Sequence, residues 1–190
     1  MADTLVRFGT REWLAEINHG RKEPRSHGYR RLFEYHSRTR TFELWFRDRS
    51  CPWQGGALET DSSFLVWLGS RWGEFSGGVR SQRNFGARLL RHWRECGWDV
   101  LTRVRGPLSI MIWDKTSERL FCGRDTFGTI PLAYRVATEG VAVSSDKKAL
   151  FEFGGSSFPD VSSGPLQDYL LFRQDFDEED YFEETYRILP

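Results

Sequence analysis

Between Leu89 and Leu150 the chain sets short apolar runs between Gly, Pro and Asp, so the order of elements reads directly from the residues. Leu89, Leu90 and Trp93 mark a helix closed by Cys96-Gly97. Past Val100-Leu101, Val104 and Gly106, four strands are expected: Leu108 to Asp114, Leu120 to Asp125, Phe127 to Tyr134 and Val141 to Asp146. A second helix opens at Lys147-Lys148-Ala149-Leu150. Ile110, Ile112, Phe121, Leu132, Val141 and Val143 lie in runs rich in β-branched or aromatic side chains, which suit a pleated, half-buried surface. Gly128 is expected to supply a positive φ or a close backbone approach, and Pro131 to open a strand where no ladder donor is needed. Asp125 can cap the turn, while Arg124 can pair with it or with nearby carbonyls. This pair therefore reads first as a structural turn, with catalysis the weaker reading.

The flanks are less regular. Leu5-Val6-Arg7-Phe8 suggests a short strand, and Trp13, Leu14 and Ile17 fall at helical spacing. Arg21 to Gly28 is loop-like, and strands are expected in Tyr29 to Tyr35 and Thr41 to Arg47. Cys51 to Ser63, with Pro52 and Gly55-Gly56, reads as turn-rich. Phe64-Leu65-Val66-Trp67-Leu68 is a buried-strand candidate stopping at Gly69. Arg71 to Gly86 reads as irregular. Gly154 to Ser157 and Ser162 to Pro165 flank a linker, after which Leu166 to Arg173 reads as a helix with Leu166, Leu170 and Tyr169 inward. No internal repeat is present.

Composition removes several classes of function. Lys and Arg balance Asp and Glu at zero net charge, which gives no bulk electrostatic case for nucleic acid or membrane. No apolar run approaches the length needed to span a bilayer, and Met1-Ala2-Asp3-Thr4 lacks the pattern of a secretory signal. Cys51, Cys96 and Cys122 are odd in number and widely spaced, which argues against a disulfide framework and a zinc site and for a reducing, cytoplasmic setting. His19, His27, His36 and His92 show no metal-ligand spacing; no metal site is expected. Arg21 to Arg49 holds nine basic residues against four acidic ones, interleaved with aromatics. That pattern fits a strand with one wet face ahead of an RNA surface. Asp175 to Glu184 is acidic at seven of ten positions and reads as a solvated loop.

The order of elements from Leu89 to Leu150 resembles the amino-terminal, glutaminase-like domain of asparagine synthetases and their relatives. Those relatives include the β-lactam synthetases and the lasso-peptide macrolactam synthetases. Arg124-Asp125-x-x-Gly128-x-x-Pro131-Leu132-x-Tyr134 is the most specific part, and Ser144-Ser145-Asp146-x-Lys148-Ala149-Leu150 the second. The resemblance implies a class II glutamine amidotransferase domain of Ntn-hydrolase type. Its fold would be α+β, an αββα sandwich of two antiparallel sheets flanked by helices. It divides the chain into a glutaminase-like domain, 1–152, and a linker, helix and closing strand, 153–190, preceding a synthetase domain that this sequence does not carry. ATP and magnesium are expected on that second domain, with no cofactor in this chain.

The same resemblance sets a test for chemistry. In active members an amino-terminal Cys, freed by loss of Met, attacks the glutamine amide with its own α-amine as base. Here loss of Met exposes Ala2. Cys51-Pro52 departs from the family's Cys-Gly start. Leu68-Gly69-Ser70 stands where the family carries Asn-Gly-Glu, so Gly69 and Ser70 are the substrate-binding candidates. Phe85 falls where a substrate-binding acid stands, and Arg47 or Arg49 could replace the arginine that clamps the glutamine carboxylate. No catalytic residue is expected. The leading expectation is a degenerate domain scaffolding an ATP-dependent, adenylating synthetase domain or subunit and able to contact a peptide or amino-acid-derived substrate. The alternatives are an active glutamine-hydrolysing domain after unrecognised processing and a free-standing module for RNA or an acidic protein.

Overall fold

A computed structural model describes residues 3–10, 14, 24, 28–36, 40–47, 53–70, 74–75, 85–153, 160–172 and 185–188. The readings made for Trp13, Ile17, Arg49, Cys51, Gly154 to Ser157 and Asp175 to Glu184 lie outside those residues, as does most of Arg21 to Gly28. The chain contributes to two units that interleave in sequence. One holds Ser50–Pro131 with Met1–Ala2 and Ile188–Pro190; the other holds Asp3–Arg49 and Leu132–Arg187.

The second unit is built on a six-stranded antiparallel sheet. Its strands are β1 (Asp3–Thr10), β2 (Arg30–His36), β3 (Arg40–Arg47), β10 (Ala133–Ala137), β11 (Gly140–Ser144) and β12 (Thr185–Arg187), ordered β12-β10-β11-β1-β3-β2. Interior position explains the composition of β1: Leu5, Val6, Arg7 and Phe8 are all buried, so both faces of the strand are covered. On the Leu5 face, helix α3 (Lys147–Phe153) brings Ala149, Leu150, Phe151 and Phe153 against Tyr29, Trp45, Ala133 and Ala142. Each such side chain fully buried contributes about 1.5–3 kcal/mol.

A charge is embedded in that face. Arg7 is wholly buried, and its Nε donates to Glu43 Oε2 at 3.0 Å, with a second bond from Nη2. Trp45 Nε1 donates to the same oxygen at 3.1 Å, and the Arg7 guanidinium lies 5.6 Å from the Trp45 ring centre. Within the basic-aromatic stretch Arg30–His36 and Arg40–Arg47 are thus the paired strands β2 and β3. The expected wet face is missing from β3, where Thr41 to Trp45 are all buried because the strand lies inside the sheet. At the sheet edge, the register of β2 shifts between Arg31 and Phe33, and a bulge of this kind discourages further pairing.

The first unit carries a four-stranded antiparallel sheet ordered β4-β5-β8-β9. These are β4 (Trp53–Glu59), β5 (Ser63–Ser70), β8 (Leu108–Asp114) and β9 (Arg119–Arg124). Helix α1 (Phe85–Cys96) lays Leu89 and Leu90 on Leu65, Leu108, Ile110 and Ile112, and Val100 of α2 (Val100–Arg103) joins them. Trp93, Trp98 and Phe121 meet at the rim, Trp93 and Trp98 edge-to-face at 4.7 Å. Gly123 makes room for this group, since a Cβ there would stand 2.6 Å from the Trp98 ring. The pairing of β6 (Glu74–Phe75) with β7 (Val104–Arg105) completes the unit.

Antiparallel sheets with a few helices fit the α+β class and are consistent with an Ntn-hydrolase-like sandwich. Several local expectations need correction. Cys51 to Ser63 is not simply turn-rich: β4 pairs with β5 along its whole length, and Gly56 is there because a Cβ would stand 2.3 Å from the Trp67 ring. Gly69 does not stop β5, which runs on to Ser70, and Glu74–Phe75 is a strand within the stretch read as irregular. The third strand of the run begins at Ala133 rather than Phe127, because the Asp125 carboxylate takes the Phe127 and Thr129 amides that a ladder would need. Helix α4 (Ser163–Phe172) starts before Leu166, and Leu170, read as inward, is 60% exposed.

Candidate functional site

The Arg-Asp-x-x-Gly motif closes the end of β9, and its carboxylate is fully engaged there. Asp125 is buried, and its carboxylate accepts from the amides of Leu108 at 3.1 Å, Phe127 at 3.0 Å and Thr129 at 3.2 Å. The Thr129 hydroxyl adds a fourth bond at 2.9 Å. Gly128 has φ +58, and a Cβ there would meet Arg124 Cζ at 2.8 Å; Arg124 Nη1 donates to the Gly128 carbonyl at 3.4 Å. The positive φ and the close approach both select glycine. Pro131 is exposed and precedes β10 by two residues, and Leu132 is buried. Tyr134 stacks on Tyr186 at 5.3 Å in the second unit. Three of these four bonds to Asp125 come from backbone amides, so the carboxylate shapes the turn.

The substrate candidates lie on β5. Gly69 pairs with Leu108, and a Cβ there would approach the Pro107 carbonyl to 3.2 Å, so glycine answers a packing need. Ser70 pairs through its backbone with Trp53. Leu68, beside them, is 1% exposed and offers no donor. Phe85 opens α1 with its ring 5.9 Å from that of Trp67, and the first turn of that helix carries no acid.

A polar cluster in the second unit gathers where β1 begins. Arg47 Nη2 donates to Asp146 Oδ2 at 2.7 Å, and the Arg47 guanidinium lies 4.3 Å from the Tyr29 ring centre. The Tyr29 hydroxyl reaches the same oxygen at 3.5 Å. Asp146 also accepts from the Lys148 amide at 3.0 Å, while its own amide donates to Ser144 Oγ. The Ser-Ser-Asp element thus ends β11, starts α3 and neutralises Arg47. Sequence reasoning named Arg47 but missed Tyr29 and Asp146 as its partners, since 99 residues separate Arg47 from Asp146.

Among the described residues two titrations are displaced. Burial pushes the Cys122 thiol up to about 12. Burial is the largest single influence on Asp114 and raises its pKa, but the hydrogen bonds from Ser117 and Thr116 together with the Arg119 charge outweigh it, so the net direction is down. Neither group adjoins the candidates above. Among the described residues no three His, Cys, Asp or Glu side chains gather to hold a metal ion, and no helix is long and apolar enough to cross a membrane.

Residues 86–190, more than half of the chain, match the family described as a glutamine amidotransferase domain. The protein named "Putative asparagine synthetase [glutamine-hydrolyzing]" of Mycobacterium tuberculosis (strain ATCC 25618 / H37Rv) is 37% identical over 76 residues, which is 40% of this chain and 12% of that protein. "Asparagine synthetase [glutamine-hydrolyzing] 1" of Bacillus subtilis (strain 168) is 29% identical over 83 residues, 44% of this chain and 12% of its own length. The aligned stretch is thus about an eighth of each relative. The chain belongs to the glutamine amidotransferase domain family, as the amino-terminal domain type of the asparagine synthetase family.

Proposed function

We propose that this domain does not hydrolyse glutamine and instead scaffolds an ATP-dependent, amide-forming domain or subunit. Leu68 carries the reading. The family places an oxyanion-holding Asn at that position, whereas Leu68 is apolar and buried in the sheet. Loss of one such donor costs about 2.7–4 kcal/mol of transition-state stabilisation. Two further observations point the same way: α1 opens without an acid, and Arg47 already has a carboxylate partner in Asp146. A glutamine carboxylate would have to compete with that ion pair.

The partner would bind ATP with magnesium and activate a carboxylate as the adenylate. The attacking amine would sit on the peptide or amino-acid-derived substrate, so no ammonia supply is required. The setting would be cytoplasmic. The test is ammonia release from glutamine by the full chain, with intact-mass analysis after a glutamine-analogue alkylator. Neither ammonia nor a mass increase is expected. Stoichiometric alkylation at the chain's amino terminus would reject the reading, and failure to co-purify with any ATP-dependent synthetase would remove its scaffold half.

A further inference from the structure

The hairpin joining β4 to β5 is tied to α1 by one guanidinium. Arg94 Nη2 donates toward Ser62 Oγ at 2.8 Å, Thr60 Oγ1 at 3.3 Å and Ser63 Oγ at 3.5 Å. All three acceptors are neutral hydroxyls, and among the described residues no carboxylate lies within ion-pair distance of Arg94. A full positive charge thus faces a set of alcohols at the protein surface. An acceptor bearing negative charge would bind it better, because it adds the attraction of opposite charges and can take two parallel bonds from the guanidinium fork.

The three hydroxyls are not equivalent. Thr60 Oγ1 donates to the Ser63 carbonyl and accepts from the Ser63 amide, both at 3.1 Å, and so holds the turn itself. Ser63 is 8% exposed and already within β5. Ser62 stands in the bend and is half-buried; among the described residues its hydroxyl meets, besides Arg94, only Ser63 Oγ, at 3.5 Å. Glu59 and Asp61 flank the turn. The Glu59 charge is already met by Lys115 Nζ at 2.7 Å, and the Lys115 amide donates to the Ser62 carbonyl. At 2.8 Å the Arg94–Ser62 contact leaves no room for a free anion between the two groups. A group built outward from the Ser62 oxygen meets no such limit.

We propose that Ser62 is a phosphorylation site whose phosphoryl group is held by Arg94. A protein kinase would transfer the γ-phosphoryl of a nucleoside triphosphate to Ser62 Oγ. The new P–O bond replaces the bond to the β-phosphate, the nucleoside diphosphate leaves, and the hydroxyl proton goes to the kinase's base. The acidic flank of Glu59 and Asp61 suits a kinase with a basic substrate groove. The phosphoryl oxygens then take charge-assisted bonds from Arg94, fastening the β4–β5 hairpin to α1 more firmly than the alcohol does.

The test uses the full chain carrying genetically encoded phosphoserine at 62, alone and with Arg94→Ala. The second ionisation of phosphoserine, about 6 when unpaired, is followed by phosphorus NMR. It is expected to fall in the Arg94 protein and return in Arg94→Ala, with a higher melting midpoint only when Arg94 is present. Equal ionisation in both proteins would overturn Arg94 as the partner. Chain recovered from its own cells under phosphatase inhibition should carry a phosphoryl-sized mass increase on the Ser62 peptide; its absence, with Ser62→Ala cells indistinguishable, would overturn the modification.

Discussion

Replacing Gly86 with Ala should destabilise the protein, although Ala is the better helix former. The substitution adds one methyl to the second residue of α1. A Cβ there would stand 2.5 Å from Trp67 Cζ3 and 2.6 Å from Cη2. The ring cannot retreat across the sheet, since a Cβ on Gly56 would meet the same indole at 2.3 Å. Nor can α1 lift freely while Leu89 and Leu90 are seated on Leu65 and Ile110. Helix propensity favours Ala over Gly by about 0.8–1.0 kcal/mol, and less so near the first turn. Overpacking of this kind costs about 1–3 kcal/mol. The net expectation is a loss of about 1–2 kcal/mol, read from urea unfolding by far-ultraviolet circular dichroism. The decisive measurement is the cycle with Trp67→Leu, whose smaller side chain vacates the contact. In that background Gly86→Ala should be neutral or stabilising, giving a coupling above about 1 kcal/mol. A gain in stability from Gly86→Ala alone, or a coupling below about 0.5 kcal/mol, would refute the close approach.

Other perturbations separate further effects. Gly128→Ala should cost more than Gly97→Ala in the same unfolding assay: both glycines have φ +58, but only at Gly128 does a Cβ also strike Arg124. Asp125→Ala should cost about 3 kcal/mol or more, since three amides and a hydroxyl lose their common acceptor, while Asp125→Asn, which keeps one carbonyl oxygen, should cost less. Arg7→Met should cost up to about 3 kcal/mol by leaving buried Glu43 with only the more distant Arg31 at 3.8 Å and the Trp45 indole, and Arg7→Met with Glu43→Leu should recover much of it, a result checked by thermal and urea midpoints. Burial holds the Cys122 thiol up to about 12 against an ordinary 9.0. Below 9.0 the thiol is protonated in folded and unfolded chains alike. Above it only the unfolded chain ionises, so stability should fall with rising pH by at most about 1.4 kcal/mol per unit until the folded thiol titrates. Cys122→Ala should remove that component, seen as the difference between the two pH profiles.

The strands of this fold were legible where side chains alternate and turns are punctuated. Leu108 to Asp114 was read with the bounds that the sheet shows, and β2, β3 and β9 within a residue or two. The misreadings share a cause, which is that a local signal was answering a distant neighbour. Gly55-Gly56 looked like a turn but faces Trp67 across the sheet. Phe127 to Leu132 looked strand-like because its residues are apolar, yet a buried carboxylate two positions earlier in the chain holds their amides. Leu170 looked inward on helical spacing alone, which says that a helix has an apolar side but not that something covers it.

The candidate site divides along the same line. Residues that carry the family pattern were visible because the turn they build is local: Asp125 serves amides two and four positions on, and Gly128 lies under Arg124. Their partners are mostly backbone groups of the turn itself, so a sequence keeping this turn has a structural reason to keep such residues whether or not it retains chemistry. Residues that would do chemistry answer to a substrate rather than to their neighbours, and nothing local forces them to remain. Leu68 illustrates the difference. Its backbone pairs across β4 and β8 as any residue there would, and its side chain, apolar and buried, is what departs from the Asn that the resemblance implies. Arg47 and Asp146 occupy the middle ground, for a cation suited to a substrate carboxylate is equally content with an internal one at 2.7 Å. Motif strength therefore measures how firmly this fold is specified, while the reaction must be argued from the few positions that the fold leaves free.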